Sequence, residues 1–224
     1  LNTGGAQDPV ALPGLAAFAT AMLPEGTTTR SSQQIADEFE FMGSQISAAN
    51  GRERTVLATE ALTRHFPKAL EVVADLVQNP TFPEEELTRK RSERLTSLRR
   101  MRDDPAALAA RVAPGLIYGR QSVYGHPLNG TEEAIEALSR DDLVEYFQGN
   151  YGPESATLAV VGEISMEEVT KLAEERLGAW TGRGQKAAAL DGTTSSSGPM
   201  STTLYLMDKP RASQSVIRFG HTGV

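Results

Sequence analysis

The sequence predicts an α+β fold in which helices pack on one face of an antiparallel sheet. Amphipathic stripes with helical spacing recur along the chain, and an Asn-Gly pair separates two short strand-like runs. A further β-branched run lies between two late helices. The predicted order is α-α-β-β-α-α-α-β-α, and helices grouped around a hairpin argue against a doubly wound parallel sheet.

Apolar residues at three- and four-residue steps predict the first two helices. The first spans residues 13–23, with Pro13 in its first turn. Its stripe comprises Leu15, Phe18, Ala19, Met22 and Leu23. The second is capped by Ser31 or Ser32 and ended by Gly43, a residue suited to a left-handed C-terminal cap. Its stripe comprises Ile35, Phe39 and Met42.

The pair Asn50-Gly51 predicts a tight hairpin turn, because such turns need positive φ at both central positions. The strands on either side cover residues 44–49 and 55–62. A helix marked by Phe66, Leu70, Val73 and Val77 follows, and Asn79-Pro80 stops it. Pro83 then opens a long charged helix through about Arg102.

Two later helices are predicted where a serine precedes an acidic residue by three positions, at Ser139 and at Ser165. Between them, residues 157–161 form an apolar run that is long enough for a strand and too short for a helix. The sequence therefore places a third strand there.

The composition turns to Gly, Ser, Thr and Ala over residues 181–200, which is typical of a linker. Beyond it, residues 202–207 and 213–219 resemble strands. We therefore expect a first α/β repeat over residues 1–180, a linker over 181–200, and the truncated start of a second, similar repeat over 201–224.

Overall composition excludes several classes of function. The chain has 224 residues, 39% of them hydrophobic, a formal net charge of -7 and no cysteine. The negative charge argues against a nucleic-acid partner, and the lack of cysteine removes thiol catalysis and Cys-ligated zinc. No apolar run is long enough to span a bilayer, and no signal peptide is visible, so periplasm and cytoplasm both stay open.

Residues that could carry chemistry are sparse. None of His65, His126 and His221 has a second histidine or a carboxylate at the spacing of a helical zinc site. The basic cluster between residues 89 and 102 is best interpreted as a solvated helix face, with a role in facing an acidic partner as the alternative. Motifs of serine hydrolases and phosphate-binding loops are absent.

The segment over residues 14–27 reads G-L-A-A-F-A-T-A-M-L-P-E-G-T. It resembles the inverted zinc-motif helix of the pitrilysin/insulinase family, which includes mitochondrial processing peptidase. The sequence of that helix in the family is G-L-A-H-F-L-E-H-M-L-F-x-G-T. Further resemblance covers almost the whole chain, at residues 82–87, 103–105, 125–131, 141–143, 151–153 and 158–162. This likeness implies a processing-peptidase-like fold.

The catalytic positions do not match. The resemblance places the two histidine ligands at Ala17 and Ala21 and the general-base glutamate at Thr20. The third zinc ligand falls near Thr96 or Ser97. Two histidines four residues apart would bind zinc and a glutamate would activate its water, but methyl groups cannot do either. We expect no catalytic residue, metal site or cofactor in this chain.

The resemblance therefore implies the zinc-free half of a bacterial-type peptidase, which encloses peptide substrate beside a zinc-bearing half in the same chain or a separate subunit. The family's assisting Arg and Tyr pair would lie beyond Val224. The alternative is a structural or binding protein on the same scaffold, without a role in proteolysis. A third class, an independent zinc enzyme, predicts stoichiometric zinc, which we do not expect.

Overall fold

The computed structural model describes residues 1–120, 122–182, 202–210 and 214–221. In this part the helices are α1 (Leu15–Met22), α2 (Ser32–Phe41), α3 (Phe66–Gln78), α4 (Glu84–Met101), α5 (Pro105–Tyr118), α6 (Glu132–Ala137), α7 (Arg140–Asn150) and α8 (Met166–Leu177). Two strands, β1 (Ile46–Asn50) and β2 (Thr55–Thr59), form an antiparallel hairpin. The predicted α+β class is confirmed.

The core lies on one face of this hairpin, as predicted. One apolar cluster surrounds α1 and includes residues of α4, α6 and α7. A second joins α2 to α3 through Ile35, Phe39, Val72 and Leu76. Leu57 of β2 packs against both clusters, whereas its neighbour Val56 is exposed on the opposite face. This alternation follows from the two-residue period of a strand.

Local capping signals determine where most helices begin. Ser31, Ser139 and Ser165 each accept a hydrogen bond from the backbone amide three residues later, as predicted. The predicted left-handed conformation of Gly43 is confirmed by its φ of 64°. Asp104 and Thr131 cap α5 and α6 in a similar way. Neither helix is part of the predicted order of elements.

The predicted Asn-Gly turn is wrong. Asn50 is the last residue of β1, and four residues rather than two connect the strands. Gly51 does not have positive φ, and its carbonyl accepts a hydrogen bond from Gly5 N at 2.9 Å. The Asn50 side chain instead donates to Thr55 Oγ1 at 2.9 Å, which holds the strand ends together.

The three other predicted strands are not formed. Residues 157–161, 202–207 and 214–219 have no regular structure and most of their side chains are exposed. A strand requires a hydrogen-bonded neighbour as well as a suitable sequence, and no described residue supplies a ladder to them. Most of the predicted linker, residues 183–200, lies outside the described residues. Among the described helices, none has the length and hydropathy to span a membrane.

Candidate functional site

The helix that carries the degenerate metal positions starts at a tightly packed glycine. Gly14, the N-cap of α1, has φ 94°, and a Cβ there would lie 2.5 Å from the Cα of Gly130. Only glycine fits such a left-handed position with so close a backbone. The predicted start at Pro13 is therefore too early, and α1 begins at Leu15.

A buried carboxylate satisfies the free amides of α1. The Asp8 oxygens accept hydrogen bonds from Gly14 N and Ala16 N, each at 2.7 Å. Burial raises the pKa of Asp8 to about 6, although these two amide hydrogen bonds oppose the shift. His126 Nε2 lies 3.8 Å from Asp8 and 2.8 Å from the Gly5 carbonyl. Asp8 and His126 thus position the helix and its flanking loops.

The three positions that the resemblance assigns to two zinc ligands and a general base all lie on α1, and they are largely shielded from solvent. Ala17 and Thr20 are buried, and Ala21 is partly buried. Ala17 and Ala21 lie one turn apart on the same face, as the metal-helix pattern requires. Both present only a methyl group. Geometry suited to two ligands is retained, and the ligand atoms are missing.

Thr20 takes part in a buried network of neutral hydroxyls. Its Oγ1 donates to the Ala16 carbonyl at 2.8 Å and lies 3.1 Å from the Tyr151 hydroxyl. Thr55 Oγ1 lies 3.5 Å away, and Asn50 Nδ2 lies 3.4 Å away. Because the Thr20 proton already bonds a carbonyl, Thr20 accepts rather than donates toward Tyr151. It stabilises α1 and cannot act as the general base.

This network extends toward the start of the chain, and we call its members the hydroxyl cluster. They are Thr3, Thr20, Asn50, Thr55, Tyr146 and Tyr151. Thr55 Oγ1 donates to the Thr3 carbonyl at 2.9 Å, and Tyr146 donates to the Gly4 carbonyl at 3.1 Å. Burial raises the pKa of both Tyr146 and Tyr151, so both phenols stay protonated. The cluster therefore carries no charge where the resemblance places a catalytic carboxylate.

The predicted third-ligand positions lie on α4, where Thr96 and Ser97 are both exposed. Together with Glu93 and Arg100 they line a shallow surface groove. The helix contacts α1 through Arg94, whose guanidinium lies 6.0 Å from the centre of the Phe18 ring. Neutral hydroxyls are weak zinc ligands, so α4 does not supply the missing donor either.

These donors do not fit a zinc ion. Two methyl groups and neutral hydroxyls replace the imidazoles and carboxylates that zinc prefers. Over the described ranges, no group of three or more His, Cys, Asp or Glu side chains is arranged to hold a metal. His65 instead packs edge-on against Phe41, with 6.3 Å between ring centroids. No catalytic step can be derived through a metal in this chain.

The basic face of α4 is partly solvated, as the sequence interpretation expects, and it also contacts neighbouring elements. Arg89 and Lys90 both form ion pairs with the buried Glu25. Farther along, Arg99 and Arg102 pair with Glu132 of α6, at 3.2 and 2.6 Å. Arg91 donates to the carbonyls of Ile135 and Leu138. Most of the cluster therefore contacts neighbouring elements, while Arg89, Arg99, Arg100 and Arg102 remain exposed.

Two family models match the chain. Residues 1–116 match the insulinase (peptidase family M16) model, and residues 137–221 match the model of the M16 inactive domain. The chain belongs to the M16 peptidase family. This membership confirms the resemblance of residues 14–27 to the zinc-motif helix of the family. It also agrees with the fold, in which helices pack around an antiparallel hairpin.

Named relatives agree with this membership. The chain is 33% identical over 174 residues to a zinc protease of Rickettsia bellii, covering 78% of this chain and 42% of that protein. It is 31% identical over 165 residues to the beta subunit of human mitochondrial-processing peptidase, covering 74% and 34% of the two chains. The chain spans less than half the length of these curated relatives.

Solved structures show the same fold. A peptidase M16 inactive domain from Pseudomonas fluorescens superposes with a TM-score of 0.72 at 26% identity, covering 78% of this chain and 42% of that one. Pitrilysin superposes with a TM-score of 0.70 at 19% identity, covering 80% and 19%. The inactive-domain matches support a non-catalytic half of an M16 peptidase.

Sequence reasoning did not predict the hydroxyl cluster or the cap formed by Asp8. Thr20 and Tyr151 are 131 positions apart, and no spacing rule within the sequence links the two residues. Asp8 is six residues before the amide of Gly14, outside the spacing of a standard cap. Both features depend on tertiary contacts that single-sequence patterns do not contain.

Proposed function

We propose that this chain is a non-catalytic half of an M16 peptidase that encloses and binds peptide substrate beside a zinc-bearing half. The observation that carries the proposal is α1, in which the spacing of two ligand positions is retained while both are alanine. A helix of this kind keeps the fold of the family without its chemistry. The similarity to the solved inactive domain supports this role.

The buried side of α1 supports a passive role. A catalytic half needs an ionised carboxylate near its metal-bound water. Here Thr20 forms hydrogen bonds with Ala16 and Tyr151, so it cannot transfer a proton to or from substrate. The chain then contributes a wall of the substrate chamber and no catalytic group. We further propose that residues 1–180 and 201–224 belong to two repeats joined by a linker over residues 181–200.

Reconstitution tests the proposal. The chain, expressed within its full reading frame, is mixed with a zinc-bearing half, and complex formation and peptide hydrolysis are measured. We expect association and a rise in hydrolysis over the zinc-bearing half alone. Removing a zinc ligand from the partner should abolish hydrolysis. The variant Ser97→Ala should leave hydrolysis unchanged, because this exposed hydroxyl holds no metal. Failure to associate and failure to raise hydrolysis would together refute the proposed role.

A further inference from the structure

A small cavity lies between α4, α5 and α6. Its volume is about 230 Å³, and Leu98, Met101 and Leu108 form the apolar part of its lining. Binding sites for drug-sized ligands measure about 300–1,000 Å³, so an occupant of this cavity is smaller. No residue of the lining belongs to the groove around Thr96 and Ser97. The cavity is therefore distinct from the predicted third-ligand positions.

Four charged side chains complete the lining, and two of them neutralise each other. Arg102 forms an ion pair with Glu132 at 2.6 Å. Arg99, which lies outside the cavity, adds a second ion pair to Glu132 at 3.2 Å. The charges of Arg102 and Glu132 are therefore used within the protein. Arg111 and Glu133 are left as the charged groups that can bind an occupant.

Arg111 carries a half-buried positive charge that forms no ion pair with any described residue. Its Nη2 donates to the Gly130 carbonyl, which leaves its other N–H donors available. Burial lowers the pKa of Arg111, and the nearby positive charge of Arg102 acts in the same direction. Both effects disfavour the charge, so the arrival of a carboxylate would be favourable. A guanidinium can hold a carboxylate by two parallel hydrogen bonds.

Glu133 supplies an exposed negative charge in the same lining. Hydrogen bonds from its own backbone amide and from the Thr131 hydroxyl lower the pKa of Glu133, so its carboxylate is ionised at neutral pH. Within the described part of the chain, it pairs neither with Arg111 nor with another cation. The cavity thus presents one unpaired cation and one unpaired anion beside an apolar surface.

We propose that this cavity binds an apolar dipeptide with free termini. The carboxylate of the dipeptide binds Arg111, its ammonium group binds Glu133, and its side chains contact the apolar part of the lining. A free apolar amino acid has the same chemistry, but both of its charges are attached to one carbon atom. A dipeptide separates them by a further Cα–Cα step of about 3.8 Å, which suits two protein charges that do not reach each other.

This inference does not depend on the proposed function, because the binding is measured on this chain alone. It would hold equally for a binding protein on the same scaffold. Failure of the reconstitution with a zinc-bearing half would leave the cavity and its charges unchanged.

An NMR titration of the chain tests the proposal by following the methyl signals of Leu98, Met101 and Leu108. The ligands are Leu-Leu, leucine, N-acetyl-Leu-Leu and Leu-Leu amide. We expect saturable shifts of these signals with Leu-Leu and binding at least about fivefold weaker for each of the other three. Acetylation removes the ammonium charge, amidation removes the carboxylate, and leucine lacks the separation between the two.

Two variants assign the charges to their partners. In Arg111→Gln, Leu-Leu and its amide should bind within about twofold of each other, while acetylation still weakens binding. In Glu133→Gln, Leu-Leu and its acetylated form should become equivalent instead, while amidation still weakens binding. Each comparison is made between two ligands on one variant, so a change in overall stability does not produce it. Arg100→Gln, an exposed charge outside the cavity, is the matched control and should preserve both preferences.

Several results would overturn the proposal. One is the lack of saturable shifts with Leu-Leu, and another is equal binding of Leu-Leu and its two blocked forms. Leucine that binds as tightly as Leu-Leu would assign the cavity to an amino acid and overturn the proposed occupant. Preferences that persist unchanged in both Arg111→Gln and Glu133→Gln would place the ligand outside this cavity.

Discussion

The hydroxyl of Tyr151 lies 3.1 Å from Thr20 Oγ1, and this contact joins the C-terminal end of α7 to the centre of the metal-motif helix. Both residues are almost completely buried. Since Thr20 donates to Ala16 O, Tyr151 is the donor in this pair. The position that the family resemblance assigns to a general base thus acts as an acceptor in a structural network.

A double-mutant cycle at this pair should reveal coupling. Tyr151→Phe and Thr20→Val should each lower the free energy of unfolding by about 1–2 kcal/mol, because each removes a buried hydrogen-bonding group. The double variant should lose less than the sum, with a coupling of about 0.5–1.5 kcal/mol. Urea denaturation measures the free energy of unfolding of the unmodified chain, the two single variants and the double variant. Strict additivity would show that the two hydroxyls do not interact.

The cap formed by Asp8 predicts a pH dependence of stability. Its pKa rises from 3.8 to about 6 on folding, so the folded chain holds more protons between these values. The contribution of Asp8 to stability is therefore complete below about pH 4 and is lost as the pH rises through about 6. Its maximum size is about 3 kcal/mol.

Asp8→Asn should flatten this part of the pH profile, as measured by urea denaturation between pH 4 and pH 8. His126 lies close to Asp8, so the comparison is repeated in a His126→Gln background to separate the two groups. An unchanged slope after Asp8→Asn would contradict the assignment of the titration to Asp8.

Two glycines with positive φ should respond differently to alanine. Gly43→Ala should cost about 1 kcal/mol, because φ is 64° but no atom lies within 4 Å of the new Cβ. Gly14→Ala should cost more than about 3 kcal/mol, since its Cβ would overlap the Gly130 backbone. Thermal unfolding of the two variants compares them directly. Similar losses would show that the approach of Gly14 to Gly130 is not tight.

Elements of the fold could be predicted where their sequence signals act over a few residues, and not where they depend on distant partners. Ser31, Ser139 and Ser165 bond amides three residues away, so their helices could be predicted. Helix α5 was missed because Pro114 lies inside it and interrupts the pattern. The run over residues 157–161 was predicted as a strand on composition, but strand formation depends on a distant partner.

The candidate site also combines positions that the sequence could assign with contacts that it could not. Ala17, Thr20 and Ala21 could be assigned from the helix frame, because the spacing of a helix places them without tertiary information. The contacts that explain why Thr20 is buried come from Asn50, Thr55 and Tyr151, which lie on other elements. No periodicity links these positions, so the hydroxyl cluster could be found only in the folded chain.

Restoring ligands should recover metal binding if the frame of α1 is preserved. One triple variant carries Ala17→His, Ala21→His and Thr96→Glu, and a second carries Ser97→Glu in place of Thr96→Glu. We expect zinc binding, which titration calorimetry measures. Only one of the two should bind zinc tightly, because neighbouring helix residues point about 100° apart. The variants with Gln in place of Glu are the matched controls. Failure of both Glu variants, when folded, would show that the frame has changed.

Zinc content of the purified, unmodified chain tests the central claim most directly. We expect elemental analysis after dialysis against zinc-containing buffer to find no stoichiometric zinc, because Ala17, Thr20 and Ala21 offer no imidazole or carboxylate. Stoichiometric zinc bound by this chain alone, together with peptide hydrolysis that a chelator abolishes, would contradict the assignment of a non-catalytic half.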